Sequence, residues 1–403
     1  MVTNNTPCHA AVPDYLGADF REAAPGHRFS LYLQIWDRDW AKVRGVPPRA
    51  DVALSNEDQR RASALVERQK ALVADARIDD PAAVLSIPAM STAPFTTGLG
   101  IEHPLENGFA FLTPYGLPYL PGSSIKGVLR AAARELDIDG AFEDVERSWC
   151  SEEIQRLFGT AATGTADSEC SLRGALVFHD VYPLMPRTGN LEWDIMNPHQ
   201  RDYHSDTSGT APPHDNAPPT PIHFLTVPAG SSFRFLIECD RTLLTDSDLL
   251  SVDGDGQPRW QQIVQELLAH AFAWLGFGAK TTVGYGAMAR DEATLEAETE
   301  ERQRQREEQR RQAQLEAMPP AERRVAELLA GRPNPSEPDH RYLLERLEAG
   351  EIEADMVQGV AEIALRKLAE RRGQVTGPRK KRDRQLQQLA NEEARLQKFP
   401  GNP

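Results

Sequence analysis

The sequence has few cysteines, few aromatic residues and no long apolar run. Its four cysteines share no pair spacing; they are Cys8, Cys150, Cys170 and Cys239. This scatter argues against a disulfide framework or a zinc site and favours a reducing compartment. No stretch is apolar enough to cross a bilayer, and the first residues lack the basic start and apolar run of a signal peptide. We therefore expect a cytoplasmic protein with no membrane partner.

Basic residues are also in deficit, which limits how the chain can bind nucleic acid. Sixty Asp and Glu outnumber 45 Lys and Arg, and the net charge is -15. Residues 291–403 hold 21 basic and 23 acidic residues, so most of the negative charge lies in residues 1–290. Because a negative field repels phosphates, any RNA contact there must be made by a few placed cations and backbone amides.

Pattern and composition divide the chain into four predicted segments. An irregular arm at 1–26 precedes a large domain at 27–290, and the hydrophobic content of 40% supplies a sizeable core. A charged helical linker follows at 291–318, and a small helical appendage at 319–403. The linker has few apolar residues, which favours a solvated helix over a long coiled coil.

The elements predicted in the large domain alternate between strands and helices. Strands are predicted at 27–36, 108–112, 175–184, 222–227 and 231–239 and after the segment 276–288, and helices at 55–76, 123–137, 142–158 and 259–277. The major elements read as strand, helix, strand, strand, helix, strand. This order predicts an α+β, ferredoxin-like fold, as in RNA-recognition modules, with large insertions and a C-terminal helical appendage.

The stretch 116–137, GLPYLPGSSIKGVLRAAARELD, runs from turn residues into a helix and allows three interpretations. In the first, a phosphate binds at the helix start, where it is held by free backbone amides and by Gly122, Ser123 and Ser124. Lys126 and Arg130 lie on one face of the helix and reach the next phosphates. In the second, the S-x-x-K spacing of an acyl-transfer enzyme makes a serine the nucleophile. In the third, the stretch is an ordinary capped helix. Spacing alone leaves all three open.

The glycine-dense segment 276–288, GFGAKTTVGYGAM, does not match the standard nucleotide motifs. Ala279 stands where a Walker A motif needs glycine, and the segment follows a predicted helix and precedes a strand, the reverse of a P-loop or dinucleotide site. The alternatives are a tight structural turn and a loop that lines a nucleic-acid backbone, with Tyr285 stacked on a base. The candidate RNA-binding residues here are Gly278, Lys280, Thr281, Thr282, Gly284, Tyr285 and Gly286.

The polar segment 197–221 is predicted to be a long loop rich in His and Asp. Its histidines and aspartates lack the spacing that fixes metal ligands on a helix, so we expect no metal site and no cofactor. The pair Asp194 and His199 is the best candidate for acid–base cleavage of RNA. Random polar composition is the alternative explanation.

Several motifs in order resemble one known family. The run PFTTGLGIEHPLENGFAFLTPYGLPYLPGSSIKGVLR, then VFHDVYP, DIMNPHQRDYH and FGAKTTVGYG, closely resemble the sixth RAMP-type subunit of the Cmr effector complexes of type III-B CRISPR systems. The last motif resembles the glycine-rich loop of the RAMP superfamily. The resemblance covers roughly 94–290 and leaves the arm and the appendage without counterparts.

The resemblance implies a non-catalytic structural subunit. Such a subunit binds the 3′ part of the crRNA through its backbone, caps the filament of repeated subunits and contacts the terminal RAMP subunit, with target RNA nearby. Sequence-independent recognition suits a guide whose sequence varies. In this interpretation Ser123, Ser124, Lys126 and Arg130 hold phosphates from one side, and the loop around Lys280 and Tyr285 holds them from the other. The remaining alternative is a RAMP endoribonuclease that uses Asp194 and His199.

Overall fold

The computed structural model describes most of the chain. The described residues are 12, 14–17, 19–33, 35–37, 39–41, 52–79, 82–105, 107–137, 149–160, 172–186, 190–197, 199–210, 212–214, 219, 221–244, 248–252, 257–376 and 378–399. Cys8, Cys170, Asp215 and the predicted helical residues 142–148 lie outside them. The chain divides into two compact units, residues 1–295 and 296–403.

The first unit mixes helices with short strands. In chain order its regular elements are α1 (Pro25–Ser30), α2 (Asn56–Asp79), β1 (Val84–Ser91), β2 (Phe111–Leu112), β3 (Leu117–Pro118), α3 (Gly122–Leu136), α4 (Ser151–Phe158), β4 (Leu176–Phe178), β5 (Glu192–Met196), α5 (Arg201–Ser205), β6 (Ile222–Thr226), β7 (Ser232–Cys239), α6 (Arg259–His270) and β8 (Met288–Arg290). A π-helical turn, Ala271–Leu275, extends α6.

Four strands form the main sheet, in the spatial order β4-β7-β1-β8, and every neighbouring pair is antiparallel. Along the chain, α3 follows β1 and α6 follows β7, so the strands and these two helices occur in the order β1, α3, β4, β7, α6, β8. Two further hairpins stand apart, β2 with β3 and β5 with β6. Helix α6 contributes Trp260, Ile263 and Leu267 to the core.

The central strand β1 is absent from the sequence-based prediction. Its residues are buried on both faces, so the apolar–polar alternation of a half-exposed strand does not occur. It also contains Pro88, which argues against a central strand because proline has no N–H to donate. The structure shows why proline is tolerated at this position, because the side of β1 that Pro88 faces is paired only as far as the end of β8. The Pro88 carbonyl accepts from the Asp291 amide, one residue past β8, so the missing N–H falls where the ladder ends.

The predicted strand at 27–36 is wrong. Residues Pro25–Ser30 form α1, with proline in the first turn, where its missing N–H costs nothing. Phe29 and Leu33 lie four residues apart and are both buried, a spacing that suits a helical turn as well as a strand. The first strand of the main sheet is therefore β1. The predicted loop at 197–221 likewise contains the short helix α5.

Other helices follow their sequence signals. Helix α2 begins with a reciprocal cap, in which the Asp58 amide donates to Ser55 Oγ at 3.1 Å and the Ser55 amide donates to Asp58 Oδ2 at 3.0 Å. In α3 the buried residues Ile125, Leu129 and Ala132 recur at helical spacing and face the core. The predicted helices at 55–76, 123–137 and 259–277 are thus confirmed, with the π-helical turn at the end of the last.

The second unit is wholly helical among its described residues. It contains most of α7 (Glu292–Ala317), together with α8 (Pro320–Ala330), α9 (Asp339–Glu348), α10 (Val357–Gly373) and α11 (Arg379–Leu396). Its core is separate and includes Val325, Leu343, Val360, Leu368 and Leu396. Helix α7 is almost entirely exposed and contains ion pairs one turn apart, such as Arg311 with Glu308 at 2.7 Å. In neither unit is a described helix both long and apolar enough to span a bilayer.

Candidate nucleic-acid interface

The start of α3 is held by the protein itself. The Gly122 amide donates to Asp180 Oδ1 at 2.8 Å, so a carboxylate from the chain after β4 already satisfies the first free N–H. A Cβ on Gly122 would lie 2.1 Å from the Phe178 carbonyl oxygen. This glycine therefore permits the backbone of residues 178–180 to approach closely. That packing accounts for a glycine at position 122 without any ligand.

The cations on α3 differ in what they bind. The Arg130 guanidinium donates to the Gly159 carbonyl at 2.9 Å, so part of it closes the C-terminal end of α4. Lys126 is half-buried and makes no side-chain bond to a described residue, and Ser123 is exposed. The Ser124 amide donates back to Pro121. Among the predicted residues here, Ser123 and Lys126 are thus the groups best placed to bind a ligand.

Two glycines of the loop between α6 and β8 are required by packing. Gly286 has a φ of +70°, and a Cβ there would lie 1.8 Å from the Phe277 carbonyl oxygen. Gly278 has a φ of +92°, and a Cβ there would lie 2.3 Å from the Thr96 carbonyl oxygen. Gly284 also has a positive φ, but nothing described lies within 4 Å of its Cβ position. The loop is therefore anchored at both ends and open around Thr282 and Gly284, both of which are exposed.

Lys280 is placed by an uncommon backbone conformation. It has a φ of +60°, a left-handed geometry that costs a non-glycine residue about 1–2 kcal/mol. Its carbonyl accepts from the amides of Val283 and Tyr285, which holds that geometry. Its ammonium lies 2.9 Å from Met196 Sδ and 5.1 Å from the centre of the Phe224 ring. The cation therefore rests on the β5–β6 hairpin, with an aromatic face beneath it.

Tyr285 connects the same loop to Asp194. The Tyr285 hydroxyl donates to Asp194 Oδ2 at 2.5 Å, and the Tyr285 ring meets Phe224 edge-on at 5.5 Å between centroids. Burial, together with the hydrogen bond to Asp194 and its negative charge, raises the pKa of Tyr285 to about 12. The phenol is therefore neutral at physiological pH and keeps donating to the carboxylate.

The hairpin that receives this loop supplies residues that sequence reasoning missed. Asp194 pairs with Phe224, and Met196 with Ile222, across β5 and β6. Thr96 Oγ1 donates to the Leu225 carbonyl at 2.8 Å and ties the hairpin to the chain after β1. The alternating apolar residues of β6 were visible in the sequence, but nothing there linked Phe224 to Lys280, more than fifty residues away.

The structure does not bring Asp194 and His199 together as an acid–base pair. Both carboxylate oxygens of Asp194 are engaged, one by Tyr285 and the other by the Ile195 amide at 2.7 Å. His199 is exposed and makes no side-chain bond to a described residue. Within the described part of the chain, no three His, Cys, Asp or Glu side chains are grouped so as to hold a metal ion.

The two predicted halves of the interface rest on different neighbours. The start of α3 packs against residues 178–180, after β4. The glycine loop packs against residues 94–96, after β1, and against the β5–β6 hairpin. Their union in one continuous phosphate track stays a prediction.

Comparison with protein families gives one match in this region. A family model described as RAMPs, the RAMP superfamily, matches residues 91–289. The match includes α3, the β5–β6 hairpin and the glycine loop, and ends inside β8. It leaves out residues 1–90 and all of the second unit.

Two curated relatives are similar over part of their length. The CRISPR system Cmr subunit Cmr6 of Pyrococcus furiosus is 31% identical, over 47% of this chain and 63% of the relative. The CRISPR system CMR subunit Cmr6 of Saccharolobus solfataricus is 24% identical, over 45% of this chain and 47% of the relative. The chain thus matches less than two thirds of either relative.

Two solved structures are similar to part of this chain. One chain of a type III-B Cmr-beta complex bound to cognate target RNA is 19% identical, with a TM-score of 0.39, over 60% of this chain and 67% of that one. The crystal structure of Cmr6 from Pyrococcus furiosus is 27% identical, with a TM-score of 0.29, over 51% of this chain and 97% of that one.

Proposed function

Because a RAMP superfamily model matches residues 91–289 of this chain, we propose that the protein is a non-catalytic RAMP subunit of a type III-B CRISPR effector complex. In this role it binds the 3′ part of the crRNA through the sugar-phosphate backbone and caps the filament of repeated subunits. Its partners are the crRNA, the target RNA and other RAMP subunits of the complex. The two curated Cmr6 relatives support this assignment.

The order of the main elements supports a ferredoxin-like core for this role. Two strand–helix–strand units, β1-α3-β4 and β7-α6-β8, build one antiparallel sheet in which β7 and β1 occupy the centre. The large insertions lie between β1 and α3 and between β4 and β7. We assign this arrangement as the RRM-like RAMP fold, in which α3 and the loop between α6 and β8 carry the proposed RNA contacts.

The observation that carries the proposal is the fixed position of Lys280. Its left-handed backbone is held by two hydrogen bonds, and its ammonium lies over Phe224 beside the exposed residues Thr282 and Gly284. Strained conformations of this kind persist where the surrounding structure over-determines them, and they cluster at ligand sites. A lysine fixed in place beside open backbone suits a phosphate, which needs charge and N–H donors but no base reading.

The site geometry supports binding without cutting. Acid–base cleavage needs an acid and a base placed together at one phosphodiester. The Asp194 carboxylate accepts from Tyr285 and from the Ile195 amide, and His199 makes no hydrogen bond to it. We propose that Asp194 orients Tyr285 and the loop that carries Lys280.

The test measures RNA affinity of the full chain with Lys280 or Lys126 changed to alanine. We expect weaker binding of single-stranded RNAs of every sequence, and a salt slope smaller by about 0.7 for each phosphate that the variant no longer neutralises. Lys70→Ala is the matched control, because Lys70 is a lysine on α2 that is already paired with Glu67. If Lys280→Ala and Lys126→Ala both bind RNA as tightly as Lys70→Ala does, the proposed track is wrong.

A further inference from the structure

The second unit contains a concentrated patch of basic side chains without carboxylate partners. Between positions 371 and 384 there are seven basic residues and one acidic residue. Arg372 pairs with Glu393 at 3.1 Å. The other six bind no carboxylate among the described residues; they are Arg371, Arg379, Lys380, Lys381, Arg382 and Arg384.

This patch differs from the rest of helices α8–α11, where cations are mostly paired. Arg332 and Lys367 both bind Asp339, at 2.5 and 2.8 Å. Arg346 binds Glu351 at 2.7 Å, and Arg395 binds Glu348. In a chain with a net charge of -15, unpaired cations gathered on one short segment are the exception that requires an explanation.

The position of four of these cations raises the cost of leaving them unpaired. Residues 379–382 form the first turn of α11, where the helix dipole is already positive. Like charges there repel one another and the dipole, and Asp383, one turn along the same helix, offsets only part of the charge of four cations. A bound polyanion removes both penalties.

A polar groove lies beside the patch. It has a volume of about 280 Å³ and is lined by side chains of α9, the end of α10 and α11, among them Arg341, Arg371, Gln374, Gln385 and Gln388. The buried pair His340 and Glu392 also lines it, 3.1 Å apart, and Glu392 holds Arg341 at 2.6 Å. Glu392 is thus held by Arg341 and His340, and the exposed groups of the groove are the Arg371 guanidinium, the Thr376 hydroxyl and neutral amides.

This combination favours nucleic acid over an acidic peptide. Amide side chains donate to phosphate and sugar oxygens, and arginine binds phosphate in a bidentate fork. The apolar side chains on which a peptide would pack are few here, since only Val375 and Leu389 join Pro338 in lining the groove. We infer that Arg371, the first turn of α11 and the adjacent groove bind the phosphate backbone of single-stranded nucleic acid, as a second site apart from the Lys280 loop.

The test neutralises the patch in the full-length protein. Changing Arg379, Lys380, Lys381 and Arg382 to glutamine should weaken binding of a labelled single-stranded RNA at least about tenfold at low salt. The salt slope should fall by about 3, at about 0.7 for each phosphate that is no longer neutralised. Fluorescence anisotropy supplies both values, and circular dichroism verifies that the helices are retained.

The matched control removes the same charge from the exposed helix α7, at Arg302, Arg304, Arg306 and Arg310. RNA affinity within about twofold of wild type is expected for it. A single-stranded DNA of the same sequence forms the second arm. Weaker binding of RNA alone assigns the site to RNA, and weaker binding of both assigns it to phosphates of either polymer.

Two results would overturn the inference. One is unchanged affinity for both polymers in the patch variant, and the other is an equally large decrease in the α7 control. Polyglutamate serves as a third probe, standing for an acidic protein. If the patch variant binds polyglutamate more weakly than wild type but binds RNA equally well, the patch is assigned to an acidic protein instead. Since these variants leave Lys280 and Lys126 intact, failure here and failure of the proposed function give different results.

Discussion

At the scale of single residues, the conformation of Lys280 matters most. The loop places its one lysine in a left-handed conformation and rests the side chain on a thioether and an aromatic ring. Such a lysine has given up much of its rotamer freedom before any ligand arrives. Ordering a free lysine costs up to about 1.5–2 kcal/mol of side-chain entropy. In the proposed function, this preorganisation strengthens phosphate binding without adding a charge to an acidic protein.

Asp194 and Tyr285 show how one hydrogen bond changes the interpretation of a residue. In the sequence, Asp194 was a candidate catalytic acid or base. In the structure its carboxylate accepts from a phenol and a backbone amide on the surface that carries Lys280. A carboxylate so engaged holds a loop in place, and its negative charge also favours the neutral form of Tyr285.

The Tyr285 titration is the first prediction at this scale. A pKa raised from 10.0 to about 12 means that folding favours the protonated phenol. The stabilisation is fully present below pH 10 and is lost as the pH rises from about 10 to about 12. In an ultraviolet titration, the difference between wild type and Tyr285→Phe should show one tyrosine ionising late, and Asp194→Asn should bring that ionisation to lower pH. A difference curve centred near pH 10 would contradict the buried hydrogen bond.

At the scale of elements, α3 shows a helix start that is explained by its neighbours. The sequence suggested a phosphate-binding site because a glycine, two serines and two cations occur close together there. The structure assigns Gly122 to a close approach by residue 178, and its amide to the Asp180 carboxylate. On this helix the RNA proposal therefore depends on Ser123, which is exposed, and on Lys126.

Two glycines of α3 give a paired prediction. At Gly122 an added methyl would lie 2.1 Å from the Phe178 carbonyl oxygen, whereas at Gly127 it would meet nothing described within 4 Å. We expect Gly122→Ala to lower the free energy of unfolding by about 1–3 kcal/mol or more, since backbone must move to admit the methyl. Gly127→Ala should raise it by about 0.5–1 kcal/mol, because alanine favours a helix interior. Denaturant unfolding measures both, and equal effects would refute this packing of α3 on residues 178–180.

At the scale of the whole molecule, the chain consists of two units with separate cores. The first unit contains the region that the RAMP superfamily model matches, and the second is helical in its described residues and has a core of its own. In the two proposals above, each unit supplies its own group of cations for RNA, while the negative overall charge discourages RNA from binding elsewhere.

The second core gives a prediction specific to one unit. Leu343 is fully buried in it, so Leu343→Ala should lower the free energy of unfolding of this unit by about 2–5 kcal/mol through reduced burial and the cavity left behind. Hydrogen exchange should then accelerate across residues 320–399. Met318→Ala is the control, because that side chain is 38% exposed and a surface change usually alters stability by less than about 0.5 kcal/mol. Unaltered exchange in Leu343→Ala would show that Leu343 is not part of the core.

The sequence by itself determined the features that depend on nearby residues. Apolar residues at helical spacing specified α3 and α6, a reciprocal cap specified the start of α2, and glycine with Lys280 marked the loop. Helix periodicity and turn chemistry act over a few residues, so they can be read directly from the chain. The ordered motifs also pointed to the RAMP superfamily.

Only the tertiary structure decided the features that join distant segments. Strand β1 lacks the usual sequence pattern of a strand, because it contains Pro88 and is buried on both faces. It is recognisable only from its pairing with β7 and β8. The partners of Gly122, Asp194 and Lys280 lie tens of residues away along the chain. A residue type fixes what a side chain can bind, but folding decides which of the distant partners comes within its reach.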